Sequence, residues 1–212
     1  MKKYELTKNT KICFGHRLFQ IRAITCFDNI LAGQFGGYIE KEENLSHDGR
    51  AWVYDNASVY GDACVFDDAQ IYGNAQVFGN AKIYNNARIS DNAVISGNAK
   101  VYNYAWVYGE THIFDNAQIY DCALVGGGDP RNAHSNGVQI YNNARIYGHS
   151  RIFGNTCVYG HARIHDYASI YNNAKVYDNA EISGNTKIYN NAYIYGNACI
   201  YNNTLIYNNI EE

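Results

Sequence analysis

The stretch that decides the fold reads Ala69-Gln-Ile-Tyr-Gly-Asn-Ala-Gln-Val-Phe-Gly-Asn-Ala-Lys-Ile83, and it repeats one unit of six residues. An aliphatic residue returns at every sixth position from Val53 to Val125 and again from Ile140 to Ile206. A small residue, usually Ala, stands two places before each aliphatic one, and a turn pair such as Gly-Asn or Asn-Asn follows. A fixed period of this kind indicates a repeat architecture.

A six-residue period fits neither an α-helix nor a free-standing strand. Within each unit, Ala-x-Ile or Ala-x-Val alternates inward, outward, inward for one short strand. The Asn and Gly residues that follow tolerate positive φ and bend the chain. Three such strands close a triangular coil of about 18 residues, and successive coils stack at roughly 4.8 Å. The sequence therefore predicts an all-β, single-stranded parallel β-helix of about eight coils, about 40 Å long.

The unit resembles the hexapeptide repeat, and this resemblance implies the left-handed form of the β-helix. Residues 1–50 lie outside the repeat and are predicted to form an N-terminal β cap, because an uncovered first coil exposes its core and its strand edge. Residues 51–212 form the predicted β-helix. The interruption at 126–137, rich in Gly and containing Pro130, shifts the period by roughly nine residues, so it is predicted to be an inserted corner loop.

A second resemblance covers nearly the whole chain. The run Gly33-Gln-Phe-Gly-Gly-Tyr-Ile-Glu-Lys-Glu-Glu-Asn-Leu-Ser-His-Asp-Gly-Arg-Ala-Trp-Val-Tyr-Asp-Asn-Ala57, followed by the hexads, resembles the entry segment of YdcK-like hexapeptide-repeat proteins. Such proteins are often encoded by phages and prophages. The resemblance implies no settled activity, because the transferase label of the family rests on analogy of fold.

Composition narrows the class of protein. The net charge of −3 and the pI near 6.1 do not favour nucleic-acid binding through global charge. Six scattered cysteines lack C-x-x-C spacing, which favours free thiols in a reducing compartment. The N-terminus lacks the apolar stretch of a signal peptide, and no apolar run approaches the length of a membrane span. We therefore predict a soluble cytoplasmic protein, in the host cytoplasm if a phage encodes it, with no cofactor.

One face of the predicted solenoid, the basic face, carries cations at mid-strand and aromatic residues at the strand ends. Its mid-strand residues are Cys64, Lys82, Lys100, Gln118, Arg145, Arg163, Glu181 and Cys199. Its strand-end residues are Phe66, Tyr84, Tyr102, Tyr120, Tyr147, His165, Ser183 and Tyr201. Cations interleaved with aromatic rings predict contact with a phosphate backbone and stacking of bases. The alternative is a solvated ladder, in which stacked tyrosines stabilise neighbouring strands.

The other two faces differ in apolar character. The tryptophan face presents Trp52, Gln70, Arg88, Trp106, Leu124, Arg151, Ser169, Lys187 and Leu205. Trp106 and Leu124 are predicted to be neighbours on successive coils, and exposed apolar residues of this kind indicate a covered surface, with Trp106 as its anchor. The third face carries Ser58, Gln76, Val94, His112, Gln139, Cys157, Lys175 and Tyr193, which suggest no chemistry.

Catalytic candidates are few. A zinc site on this scaffold needs histidines in register, and His149 and His161 stand two hexads apart, so they occupy different corners; no metal site is predicted. For acyl transfer, the candidates are His134 or His149 near the inserted loop, with Asp129 as an orienting carboxylate.

These features predict a non-catalytic binding protein of phage or prophage type that engages a protein or ribonucleoprotein, with RNA contact through the basic face. An inhibitor of a CRISPR-type host defence complex fits that prediction. One alternative is an acyl or nucleotidyl transferase with its site under loop 126–137. Another is a structural unit that self-assembles through an open C-terminal coil ending in Glu211 and Glu212, or a homodimer through a flat face.

Overall fold

The computed structural model describes residues 2–127 and 137–207. An antiparallel hairpin, β1 (Tyr4–Cys13) and β2 (His16–Ala23), opens the chain, and β3 (Phe35–Ile39) pairs antiparallel with β2. A single 3-10 turn, Glu42–Asn44, follows, and the described residues contain no α-helix. β3 also pairs in parallel with β5, so it connects the hairpin to the solenoid.

Twenty-five short strands then wind around a common axis and form three sheets, so the fold is a parallel β-solenoid of about nine turns. Their bounds are β4 Trp52–Val53, β5 Ser58–Val59, β6 Cys64–Val65, β7 Gln70–Ile71, β8 Gln76–Val77, β9 Lys82–Ile83, β10 Arg88–Ile89, β11 Val94–Ile95, β12 Lys100–Val101, β13 Trp106–Gly109, β14 His112–Ile113, β15 Gln118–Ile119, β16 Leu124–Gly127, β17 Gln139–Ile140, β18 Arg145–Ile146, β19 Arg151–Gly154, β20 Cys157–Val158, β21 Arg163–Ile164, β22 Ser169–Ile170, β23 Lys175–Val176, β24 Glu181–Ile182, β25 Lys187–Ile188, β26 Tyr193–Ile194, β27 Cys199–Ile200 and β28 Leu205–Ile206. The all-β prediction is confirmed, and the arrangement is consistent with the left-handed form.

Each strand pairs in parallel with the strand three positions later, which places residues 18 apart side by side. Lys82 pairs with Lys100, and Trp106 pairs with Leu124, as the hexads predict. Across the interruption His112 pairs with Gln139, so nine additional residues are accommodated without loss of register. The assignment of residues to the three faces is therefore confirmed on both sides of the insertion.

The interior of the prism contains two inward positions from every hexad. Ile89, Ile113 and Ile170 have no exposed surface, and Ala87 and Ala168, two places before Ile89 and Ile170, are equally buried. Thr111, Ser150, Thr156 and Thr186, which replace Ala at some positions, are also buried. The hydroxyl groups of Thr111 and Thr156 donate to the carbonyls of Tyr108 and Phe153, so burial leaves these donors satisfied.

The corners are held by left-handed residues and by ladders of side-chain amides. The first residue of each turn pair, such as Gly79 or Asp91, has φ between 50° and 77°, which explains the choice of Gly, Asn and Asp there. At the second position, Asn80 donates to Asn98 and Asn98 donates to Asn116, each at 3.1 Å. These bonds form a ladder of side-chain amides along the corner.

Replacement of Asn98 by Ala is expected to lower the free energy of unfolding by about 1 kcal/mol, because it removes a donor and an acceptor from the ladder. Urea unfolding followed by circular dichroism measures the change. Asn86→Ala serves as the control, since the Asn86 side chain occupies the same turn position on another corner and makes no side-chain hydrogen bond within the described chain. Equal stability of the two variants would contradict a stabilising ladder.

The N-terminal segment covers the first coil. Trp52 points outward on the tryptophan face, as predicted. It is nevertheless fully buried, because Tyr4 and Phe27 pack edge-on against its ring. Gly36 lies so close to this indole that a Cβ would come within 2.7 Å of it. The tryptophan face thus becomes free for contact only beyond Trp52.

The interruption is shorter in the structure than in the sequence-based assignment. Gly126 and Gly127 belong to β16 rather than to a loop, and the ring of Tyr108 lies across Gly126 at a distance that leaves no room for a Cβ. Residues 128–136 lie outside the described part of the chain. Gly126 therefore reflects close packing under an aromatic ring, and Gly127 reflects close packing against the backbone of Glu110 and Val138, rather than the predicted loop.

Candidate interaction surface

The basic face carries exposed cations on neighbouring coils, with Gln118 between Lys100 and Arg145. Lys82 pairs in register with Lys100, and Arg145 with Arg163, so the side chains project from adjacent strands of one sheet. All four are exposed. Near the end of the row, Glu181 lies 3.9 Å from Arg163 and 3.1 Å from His165, which reduces the positive charge there. The cationic part of the face is therefore centred on Lys82, Lys100 and Arg145.

The aromatic residues beside this row form one continuous stack. Successive rings of Phe66, Tyr84, Tyr102, Tyr120, Tyr147 and His165 lie parallel with centroids 4.7–4.9 Å apart. Because each internal ring is covered by a neighbour on both sides, its faces are not open to a base. Ring edges and hydroxyl groups remain for contact. The ladder interpretation thus describes these rings, and the base stacking predicted for them has no free ring face to use.

Stacking also changes the acidity of the phenols. Burial within the stack raises the pKa of Tyr102 to about 12, and burial likewise raises the pKa values of Tyr84, Tyr120 and Tyr147. Equivalent stacks on the other corners include Tyr141 and Tyr159, whose pKa values are raised by the same cause. These hydroxyl groups are neutral donors at physiological pH.

Trp106 is the most prominent apolar residue of the tryptophan face. Its side chain is 45% exposed, it lies in register with Leu124, and its Nε1 donates to the Ser90 hydroxyl at 3.2 Å. The ring of Tyr108 supports it from behind, with centroids 5.3 Å apart. Trp106 is thus held in place while part of its indole faces solvent, which suits a contact anchor.

The sequence analysis missed a row of residues on the corner between the basic face and the tryptophan face. At the second turn position, where most coils carry Asn or Asp, four successive coils carry Tyr104, Cys122, His149 and Tyr167; we call this row the aromatic edge. Backbone hydrogen bonds from each of these residues to the next coil keep them in register. Tyr104 is 68% exposed and Tyr167 60% exposed. The departure from Asn on four consecutive coils is the signal that could have identified them.

The aromatic edge lies between cations. Lys100 and Arg145 precede it on the basic face, and Arg151 follows it on the tryptophan face; all three are exposed and have no carboxylate partner within the described residues. The nearby carboxylates are occupied. Asp121 accepts from the Gly148 amide and from Asn103, and Asp166 accepts from the Gly184 amide. The surface around the edge therefore combines exposed rings with unpaired positive charge.

The histidines considered for a metal site, His149 and His161, lie apart in the structure. No cluster of three metal-ligating side chains occurs in residues 2–127 and 137–207. His149 stacks on Tyr167 with ring centroids 5.0 Å apart, and His161 lies on a different corner beside Asn143 and Gly160, as their spacing predicts. The other acyl-transfer candidates, His134 and Asp129, lie outside the described residues.

Residues 69–81 and 81–96 match the YdcK β-solenoid repeat family. In this stretch the chain is similar to YdcK-like hexapeptide-repeat proteins. Over 64 residues it is 34% identical to a protein of Escherichia coli (strain K12) named "Uncharacterized acetyltransferase YdcK". That alignment covers 26% of this chain and 19% of the E. coli protein. The YdcK-like chain has, in its described part, no helix with the length and apolarity that crossing a membrane requires.

Proposed function

We propose that the chain is a non-catalytic binding protein that engages a macromolecular partner through the surface formed by Trp106, Leu124 and the aromatic edge. The observation that carries the proposal is a row of four turn residues without an amide, in which exposed Tyr104 precedes half-exposed Trp106 and exposed Tyr167 lies three coils further along. Tyr, Cys and His at these positions cannot take part in an amide ladder, and Tyr104 and Tyr167 add exposed apolar area. Such a change on four consecutive coils is costly for a free surface and useful for a covered one.

The scaffold suits binding by a preformed surface. Every strand around the site is paired on both sides, and the side chains project from a buried aliphatic core. A surface of this kind loses little conformational entropy on association, which favours affinity. The cations Lys82, Lys100, Arg145 and Arg163 extend the surface and suit an anionic partner.

A paired substitution tests the proposal. Trp106→Ser with Leu124→Ser is expected to lower affinity for the partner at least tenfold, because an interface anchor is removed. The measurement is affinity capture from a lysate of the source organism or its host, followed by titration of the purified partner. Tyr193→Ser, at the same mid-strand position on the third face, is the matched control. Retention of the same captured partner by the doubly substituted variant would overturn the proposal.

Two narrower predictions belong to this proposal. The partner is predicted to be a protein or ribonucleoprotein, with a CRISPR-type host complex as the specific hypothesis for a phage-encoded cytoplasmic chain. Self-association is also predicted, and the residues 208–212 invoked for it lie outside the described chain. Light scattering over a concentration series tests self-association, and a constant monomer mass would contradict it.

The name of the E. coli relative favours a second candidate function, acetyl transfer. In this chain the described candidate is His149, which stacks on Tyr167. If the chain is a transferase, acetyl-CoA at millimolar concentration should raise the melting temperature, since a ligand that binds the native state stabilises it. This function would be excluded if acetyl-CoA left the melting temperature of the native chain unchanged and if His134→Ala and His149→Ala responded to acetyl-CoA as the native chain does.

A further inference from the structure

We infer that the partner contacted by the aromatic edge is a single-stranded nucleic acid, with one base inserted at the level of Cys122 between Tyr104 and His149. This inference rests on the proposed binding function and names the chemistry of its partner. It moves the predicted nucleic-acid contact from the stacked rings of the basic face to the adjacent corner.

The aromatic edge has a gap in its ring column at Cys122. Where rings of this protein stand on successive coils they stack, for example Tyr84, Tyr102 and Tyr120 with centroids 4.8–4.9 Å apart. On the aromatic edge, His149 stacks on Tyr167 on one side, whereas the next coil on its other side carries only the small side chain of Cys122. Among residues 2–127 and 137–207, no ring therefore covers the other face of the imidazole.

The distance between Tyr104 and His149 matches the thickness of one planar group. The two residues are two coils apart. The Tyr104 amide donates a hydrogen bond to the Asp121 carbonyl in the turn of Cys122, and the Cys122 amide donates to the Gly148 carbonyl in the turn of His149. Two coil spacings amount to about 10 Å. A planar ring in van der Waals contact on both sides needs about 7–8 Å. The position above Cys122 thus accommodates one planar group, and no described ring stacks on Tyr104.

Cations flank the aromatic edge on both sides. Lys100 and Arg145 lie on one side of the edge and Arg151 lies on the other, and no carboxylate of the described chain pairs with them. Open ring faces flanked by cations are the combination by which proteins bind single strands, with bases on the rings and phosphates at the cations. A duplex cannot present an unstacked base to this position, so the arrangement favours single strands. An acidic peptide would use the cations without needing the open position above Cys122.

The decisive variant fills the open position. Cys122→Phe is expected to continue the ring column from Tyr104 to His149 and to exclude a base, while leaving all cations in place. Asn116→Phe, at the same turn position on another corner, is the matched control for an added exposed ring. Cys122→Ser keeps the position open. Circular dichroism and melting temperature confirm that each variant is folded.

Binding is measured by fluorescence anisotropy with a labelled 12-nucleotide single-stranded RNA, the equivalent DNA and a duplex of the same sequence. We expect Cys122→Phe to weaken single-strand binding at least about fivefold, the lower end of base–aromatic stacking effects. Cys122→Ser and Asn116→Phe should bind like the native chain, and the duplex should bind at least tenfold more weakly. Three phosphate contacts predict that the logarithm of the binding constant falls with the logarithm of the salt concentration with a slope of about −2. The double substitution Arg145→Ala with Arg151→Ala should make this slope less negative by about 1.4.

Three results would overturn the inference: no single-strand binding by the native chain, equal affinity of single strand and duplex, or equal effects of Cys122→Phe and Asn116→Phe. If an acidic peptide displaced the labelled strand equally well from the native chain and from Cys122→Phe, the edge would be assigned to a protein partner. In that case the proposed binding function stands if a partner is still captured after nuclease treatment and if its capture requires Trp106. If capture does not require Trp106, the proposed function itself is wrong.

Discussion

Ile113→Asp is expected to destabilise the solenoid by several kcal/mol and to leave little folded protein at 37 °C. Ile113 has no exposed surface and lies between Ile95 and Ile140 in the interior of the prism. A carboxylate there has no cationic partner, so it either remains charged at a large desolvation cost or takes up a proton and leaves a cavity. Urea unfolding followed by far-ultraviolet circular dichroism measures the loss.

The adjacent residue provides the control. His112 precedes Ile113 on the same strand, but its side chain lies on the outside of the prism and is half-buried. His112→Asp therefore adds the same charge one residue away and is expected to change stability by less than about 1 kcal/mol. Ile113→Val, which removes a single methylene, should cost about 0.5–1.5 kcal/mol. If both Asp variants were equally stable, the assignment of inward and outward positions would be wrong.

Alkaline pH is expected to unfold the protein through its tyrosine columns. In an unfolded chain the phenols ionise near pH 10, whereas burial in the stack raises the pKa of Tyr102 to about 12 and raises those of Tyr84, Tyr120 and Tyr147. The folded state therefore retains protons that the unfolded state releases. This stabilising contribution is fully present below about pH 10 and is lost as the pH rises through the folded pKa values.

The urea midpoint should consequently fall steeply between pH 10 and pH 12, with contributions from several phenols at once. Lys3 changes the free energy of unfolding in the opposite direction over part of this range. Burial lowers its pKa to about 8, so the folded state loses a buried positive charge and gains stability as the pH rises. Tyr102→Phe retains the stacked ring and removes one titrating group, so it should change stability little at pH 8 and flatten the alkaline decline. A midpoint independent of pH up to 11.5 would show that the phenols titrate alike in both states.

Much of the fold could be predicted because each hexad encodes its own conformation. The Ala-x-Ile alternation determines which side chains enter the prism, and Gly, Asn or Asp at the positive-φ position determines where the chain turns. Even the pairing of His112 with Gln139 across the insertion follows from counting nine additional residues. Gly126 was misassigned, because a Gly that allows a ring to pack across it looks like a Gly that permits a bend.

The candidate site was predicted less completely. Trp106 and Leu124 could be placed side by side from their spacing, and so could the cations of the basic face. That the tyrosines beside those cations cover one another depends on ring orientation, which the hexad spacing does not specify. Tyr104, Cys122, His149 and Tyr167 occupy turn positions that a search for outward strand residues passes over.

By itself the sequence determined the coil length, the register and the inward residues of the hexads, because these depend on local alternation and turn chemistry repeated along the chain. Only the tertiary structure decided which outward residues are accessible. Trp52 and Trp106 stand at equivalent positions, yet Trp52 is fully buried beneath Tyr4 and Phe27 whereas Trp106 is 45% exposed. The reason is physical: accessibility depends on which distant segment packs over a position, and the repeat carries no information about that packing.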